Sequence, residues 1–169
     1  SGESTGIDLD TVTVGGNLVG GTDPAYTATA NDDNTLDISY TDIAGNSYKV
    51  VELQGIATSL QANNVFTATV TNNGTETVNL RVNLTANKVG NNDSCNVSAT
   101  QDGTAVRTDT EWGGSFFTIE AGATITVQVV YDNTRTLLAV QFMVDSSVGD
   151  ATLRSGDITI SDMALAVSE

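Results

Sequence analysis

The chain predicts an all-β fold, a β-sandwich of two antiparallel sheets of jelly-roll type, with an immunoglobulin-like sandwich as the alternative. Three observations lead there. Apolar residues recur at every second position over many short runs, the pattern of strands with one face buried and one open. Gly, Asn and Asp punctuate these runs at short intervals. No helix-period segment longer than about two turns stands out, and the nearest, Leu53 to Asn63, is broken by Gly55.

Along the chain, Leu36, Ile38 and Tyr40 alternate with Asp37 and Ser39, and Tyr48 to Leu53 is short and β-branched. Phe66, Ala68 and Val70 alternate with Thr67 and Thr69. Asn72-Asn73-Gly74 then reads as a hairpin turn, because Asn-Gly supplies the positive φ that tight hairpins need. It leads into Thr77 to Thr85, where Val78, Leu80, Val82 and Leu84 alternate with Asn79, Arg81 and Asn83. Cys95 to Gln101 and Thr104 to Thr108 flank a second hairpin signal, Asp102-Gly103. Ser115 to Ile119, Ile125 to Tyr131, Leu137 to Asp145 and Asp157 to Val167 follow. About ten short strands of this kind suit two packed sheets. Trp112 is present, but the Cys-Trp-Cys spacing of immunoglobulin domains is not, since Cys95 stands alone.

At 169 residues the chain fits a single domain, 1–169, with residues 1–6 reading as a flexible polar end. A domain of this size buries about 70% of its unfolded surface. Its 21 Asp plus Glu against 6 Lys plus Arg give a net charge of -15, which argues against nucleic acid and against anionic membranes. No apolar run approaches the ~18 residues of a membrane-spanning helix. Thr (26 residues) and Asn (15) stand where Lys and Glu are usual, an extracellular type of surface. The expected location is therefore secreted or cell-surface, in a bacterium, as a module of a larger protein. The Asn-x-Ser/Thr sequons at Asn73, Asn83, Asn92 and Asn96 arise readily by chance in such a composition and do not indicate a eukaryotic source.

The catalytic inventory is poor. With no His in the chain, Ser-His-Asp and Cys-His schemes are excluded, and the commonest general base and metal ligand is missing. A carboxylate pair of the glycosidase kind stays open, yet the acidic residues fall in turn-like clusters such as Asp32-Asp33. The expectation is a protein that is not an enzyme.

A binding surface is better supported. In Ile125 to Val129, Gln128 lies outward with Thr126, and in Val140 to Val144, Gln141 lies outward with Met143. In the strand from Tyr48, the phase with Val51 and Leu53 inward turns Glu52 and Gln54 outward. If these strands share a sheet, Gln54, Asn79, Arg81, Asn83, Gln128 and Gln141 line one concave face. Planar amides and a guanidinium match vicinal hydroxyls, so the ligand class is a polysaccharide or oligosaccharide. Sugar sites also use aromatic platforms. The candidates are Trp112, in the loop-like Thr110-Glu-Trp-Gly-Gly114, and Tyr26, which follows the chain's one proline. Phe66, Phe116 and Phe142 read as core.

Calcium is the other ligand that the carboxylates would suit, with Asp8, Asp10, Asp23, Asp157 and Asp162 as candidates, although no EF-hand loop is present.

The closing segment Arg154-Ser-Gly-Asp-Ile-Thr-Ile-Ser-Asp-Met-Ala-Leu165 resembles the last strand of jelly-roll carbohydrate-binding modules such as families 4, 16 and 22, which end in an I-x-I-x-D-h-x-L pattern. Ile158, Ile160, Asp162 and Leu165 match it. Phe117-Thr-Ile-Glu-Ala-Gly-Ala123, Tyr131 and Val140 to Asp145 are similar to the preceding strands, so the resemblance spans about residues 115 to 167. It implies a non-catalytic module that holds polysaccharide on a concave sheet face and targets an attached enzyme. It also implies a structural Ca²⁺ with Asp162 among its ligands. The N-x-x-F-E opening of those families is missing. The alternative function is a structural or adhesive sandwich of a cell-surface or phage protein, and a small glycosidase or lyase is a third.

Overall fold

Alternation of apolar and polar side chains does set the architecture. The computed structural model describes residues 5–16, 26–44, 49–58, 64–86, 96–110, 113–132, 137–144 and 151–167. In chain order its strands are β1 (Thr5–Gly6), β2 (Thr13–Gly15), β3 (Tyr26–Ala30), β4 (Leu36–Ala44), β5 (Val51–Thr58), β6 (Asn64–Asn72) and β7 (Val78–Ala86). They continue with β8 (Asn96–Gln101), β9 (Thr104–Ala105), β10 (Thr108–Asp109), β11 (Gly114–Ile119), β12 (Thr124–Asp132), β13 (Leu137–Val144) and β14 (Leu153–Val167). No helix occurs among the described residues, and so none that is long and apolar enough to cross a membrane.

An eight-stranded back sheet runs β3-β4-β14-β6-β12-β8-β9, with β1 added to the flank of β14. A six-stranded front sheet runs β10-β11-β7-β13-β5-β2. Every pairing is antiparallel, and the result is a jelly-roll β-sandwich. The inward sets expected from the sequence meet between the sheets. Leu36, Ile38, Phe66, Val70, Val127, Val129, Ile158 and Ile160 come from the back; Leu53, Val78, Leu80, Val82, Leu84, Ile119, Val140 and Phe142 come from the front. Phe66 and Phe142 touch across the core, centroids 6.0 Å apart. Apolar burial of this extent, at about 25 cal/mol per Å², is what holds the layers together.

Several local expectations change. Asp102-Gly103 does close a two-residue hairpin between β8 and β9, with φ of 51° and 83° at the two positions, the mirror-image turn that matches strand twist. Asn72-Asn73-Gly74 does not close a hairpin: β6 belongs to the back sheet and β7 to the front, so the turn carries the chain across the sandwich. Asn72 secures that crossing. It is fully buried, its Nδ2 donates to Glu76 O (2.8 Å) and Ile119 O (3.0 Å), and its Oδ1 accepts from Gly74 N (2.9 Å). The run Thr104 to Thr108 divides between β9 in the back sheet and β10 in the front. Thr5 and Gly6, expected in a flexible end, pair with Leu165 and Ala164 of β14.

Within β14 the inward positions change parity, from Ile158 and Ile160 to Met163 and Leu165. The register slips between Ser161 and Ala164 opposite β6, and Asp162 takes a left-handed φ of 51° and is exposed. Such a bulge places an extra residue in one strand and re-aims those that follow. Asp tolerates this conformation better than most residues, which gives the Asp of the I-x-I-x-D-h-x-L pattern a backbone role.

Candidate carbohydrate-binding face

The front sheet buries Val78, Leu80, Val82 and Leu84 of β7 inward, so Asn79, Arg81 and Asn83 project from the opposite face. Register then decides their neighbours. Gln141 of β13 lies opposite Asn83 on one side and Glu52 of β5 on the other; beyond these, Gly114 of β11 and Asp109 of β10 continue the row at one end and Gly15 of β2 at the other. A second row runs Phe116, Arg81, Met143, and Gln54 stands between Ala139 and Thr13. Gln54, Asn79, Arg81, Asn83 and Gln141 are thus brought onto one face, as expected.

Two expected members fall elsewhere. Gln128 lies on β12 in the back sheet, exposed on the other side of the molecule. Alternation tells which way a side chain points, not which sheet its strand joins. Tyr26 begins β3 and is core: it is 3% exposed, stacks on Tyr40 with centroids 5.1 Å apart, and its hydroxyl donates to Val144 O at 3.4 Å. Trp112 lies outside the described residues, as do Cys95, Tyr48 and Asp23. Phe116, read as core, is half-buried on the outer face beside Arg81, and its neighbour Phe117 fills the core position instead.

The face has an unusual polar floor. Glu52 is 6% exposed and Gln141 2%, although both point away from the core. Asn83 Nδ2 donates to Gln141 Oε1 at a long 3.4 Å. Glu52 Oε2, Gln141 Nε2 and Asn83 Oδ1 are buried without a hydrogen-bond partner among the described residues. Each such atom costs about 1–3 kcal/mol of desolvation, so three in one row is a large local penalty. A donor between two acceptors, spaced by about 4.8 Å from strand to strand, is a complement to a ligand that carries hydroxyls.

Around the floor Arg81, Asp109 and Phe116 are half-buried and Arg107 is exposed. The Arg81 guanidinium lies 3.7 Å from Asp109 Oδ2 and 5.0 Å from the Phe116 ring centroid, and Arg107 lies 4.0 Å from the same centroid. Two glycines make room. A Cβ at Gly114 would come within 2.6 Å of Asn83 Oδ1 and 2.8 Å of Arg81 Nη2, and one at Gly15 within 2.7 Å of Gln54 Oε1. Glu52, Phe116 and Arg107 are members that sequence reasoning left out. The phase of β5 had already turned Glu52 outward, and strict alternation from Ile119 would have separated Phe116 from Phe117. Nothing in the sequence pairs Arg107 with that ring.

A second hollow of about 330 Å³ lies on the rim of the back sheet among Ser39, Thr41, Glu76, Ser155 and Asp157. Its Glu76 carboxylate accepts from Ser155 N at 3.0 Å. As for calcium, no group of three or more acidic, Cys or His side chains able to share an ion occurs among the described residues. Asp8, Asp10, Asp157 and Asp162 are all exposed, and Asp8 Oδ1 is occupied in a local turn by Asp10 N at 3.0 Å.

Solved structures share this two-sheet jelly roll. No family model matches the chain, and no curated protein matches it. The CBM1 module of BiXyn10A, in its apo form, is similar over 98% of this chain and 97% of its own, with a TM-score of 0.56 and 9% identity. The xylan-binding module CBM15 is similar over 100% and 99%, with a TM-score of 0.50 and 14% identity. PfGH50B matches all of this chain with a TM-score of 0.58 and 10% identity, and the chain spans only 24% of its length. At these identities the likeness establishes the fold, which the chain shares with carbohydrate-binding modules.

Proposed function

We propose that the chain is a non-catalytic carbohydrate-binding module of a secreted protein, which holds a polysaccharide on the outer face of the front sheet and keeps an attached enzyme at its substrate. The observation that carries this reading is the row Asn83, Gln141 and Glu52, in which Asn83 Oδ1, Gln141 Nε2 and Glu52 Oε2 are buried with no hydrogen-bond partner among the described residues. The similar modules CBM1 of BiXyn10A and CBM15 support it, the latter described as xylan-binding. The chain's correspondence to 24% of PfGH50B supports its being one module among several. Sugar hydroxyls would donate to Glu52 and Asn83 and accept from Gln141, replacing water at each atom. Because water is exchanged for sugar, affinity is modest, about 10 to 100 μM. Tethering then raises the local concentration of the attached domain.

The test is isothermal titration against soluble xylan, agarose, polygalacturonate, alginate and carrageenan. Saturable binding of one polymer is expected, weakened at least tenfold by Gln141→Ala with an unchanged melting temperature. Undiminished binding by that variant removes the site assignment, and clean negatives across the panel favour a structural or adhesive sandwich. Turnover of any polymer would instead indicate an enzyme. Calcium belongs to the proposal only as Asp162 acting with groups outside the described residues. A melting temperature raised by millimolar Ca²⁺ and returned by EDTA supports that part, and no change removes it.

A further inference from the structure

We infer that the polysaccharide held by this face carries an anionic group, a uronate carboxylate or a sulfate ester, bound at the β10–β11 end by Arg107 together with Arg81. The inference rests on the carbohydrate-binding reading and deepens it.

Cations are scarce in this chain, 6 Lys plus Arg against 21 Asp plus Glu. Two of them converge on one aromatic ring, Arg107 at 4.0 Å and Arg81 at 5.0 Å from the Phe116 centroid. Bringing two guanidiniums together costs repulsion that a neighbouring anion must offset. Asp109 stands 3.7 Å from Arg81. Arg107 is exposed and makes no ion pair among the described residues, although carboxylates outnumber cations in the chain.

The ring determines what Arg107 can do. A guanidinium laid over an aromatic face keeps its N–H donors in its own plane, directed away from the ring, and loses little further freedom when it binds. That edge matches the two oxygens of a carboxylate or sulfate in a paired geometry. Lys would offer charge without the fork.

The face is also polarised. Measured across the strands, Phe116 on β11 and Glu52 on β5 are three intervals apart, about 14 Å, with two guanidiniums and the one carboxylate of Asp109 at the first end and Glu52 at the other. A ligand that sets its anionic substituent against Arg107 brings its hydroxyls over Gln141 and Glu52. The net charge of -15 does not forbid this, because at physiological salt charges beyond about 8 Å are screened.

The experiment compares each anionic polymer with its own neutral derivative: polygalacturonate with its carboxyl-reduced form, and carrageenan with its desulfated form. Wild-type protein is expected to bind one anionic member at least tenfold more tightly than its neutral derivative, and which pair does so tells carboxylate from sulfate. Arg107→Gln should narrow that preference at least tenfold, and Arg107→Lys should restore only part of it. The melting temperature of both variants, whose side chain is exposed, should stay within about 1 °C of wild type. Equal or tighter binding of the neutral derivatives overturns the inference and leaves the carbohydrate-binding reading intact. Absence of binding to every polymer, charged or neutral, overturns that underlying reading.

Discussion

On the outer face of the back sheet, Thr71 and Thr124 share a hydrogen bond of 3.0 Å, and Asp37 accepts from Thr159 Oγ1 at 2.6 Å and from Asn31 Nδ2 at 2.9 Å. Asn73 Nδ2 donates to the same Thr159 hydroxyl at 2.9 Å. On the outer face of the front sheet the polar groups are more deeply buried, yet Glu52 Oε2, Gln141 Nε2 and Asn83 Oδ1 have no partner among the described residues. Both faces are small-polar surfaces of the same sandwich. These back-face groups pair with one another, whereas the front face buries several polar atoms with no partner among the described residues. Burying polar atoms without partners destabilises a fold, and under the proposed function the ligand's hydroxyls complete the row.

The sharpest contrast is between two buried amides. Asn72, with every side-chain polar atom satisfied, should behave as a structural residue. Asn72→Ala would leave Glu76 O and Ile119 O without their donor and is expected to cost about 2–3 kcal/mol in urea denaturation. Once folded, that variant should bind its polysaccharide as wild type does. A loss of binding at full occupancy of the native state would break the separation between the two regions.

A smaller effect should appear at Gly114. A methyl group there meets the side chains of Arg81, at Nε and Nη2, and Asn83, at Oδ1, and no backbone atom, so the change in stability should stay at about 1 kcal/mol. Binding should fall several-fold, because the displaced groups belong to the face. If Gly114→Ala lowers the melting temperature markedly and leaves affinity unchanged, the glycine serves packing rather than the site.

Much of this was legible in the sequence, and what was missed follows one physical rule. Alternation in Thr77 to Thr85 fixed the direction of Asn79, Arg81 and Asn83, because a strand's period is locally determined. Which strands share a sheet is a long-range matter. That is why Gln128 pointed outward as expected but from the wrong sheet, and why Asn72-Asn73-Gly74 has turn chemistry without closing a hairpin. Tyr26-Thr-Ala-Thr-Ala30 alternates too, and its proline neighbour obscured a strand that buries the tyrosine. The terminal pattern was recognised correctly as that of a jelly roll, although its Asp162 now has a backbone reason for being where it is. Burial of Glu52 and Gln141 on an outer face has no sequence signature at all.

The account turns on whether the polar floor is retained at a cost to stability. Glu52→Met, which keeps the length of the side chain and removes the carboxylate whose Oε2 is buried without a partner among the described residues, tests it most directly when thermal unfolding and polysaccharide titration are run on the same sample. Removing an unpaired buried group should raise stability by about 1 kcal/mol, a rise of roughly 2–4 °C for a domain of this size, while affinity falls at least tenfold. A variant that melts lower than wild type and still binds its polysaccharide would contradict it.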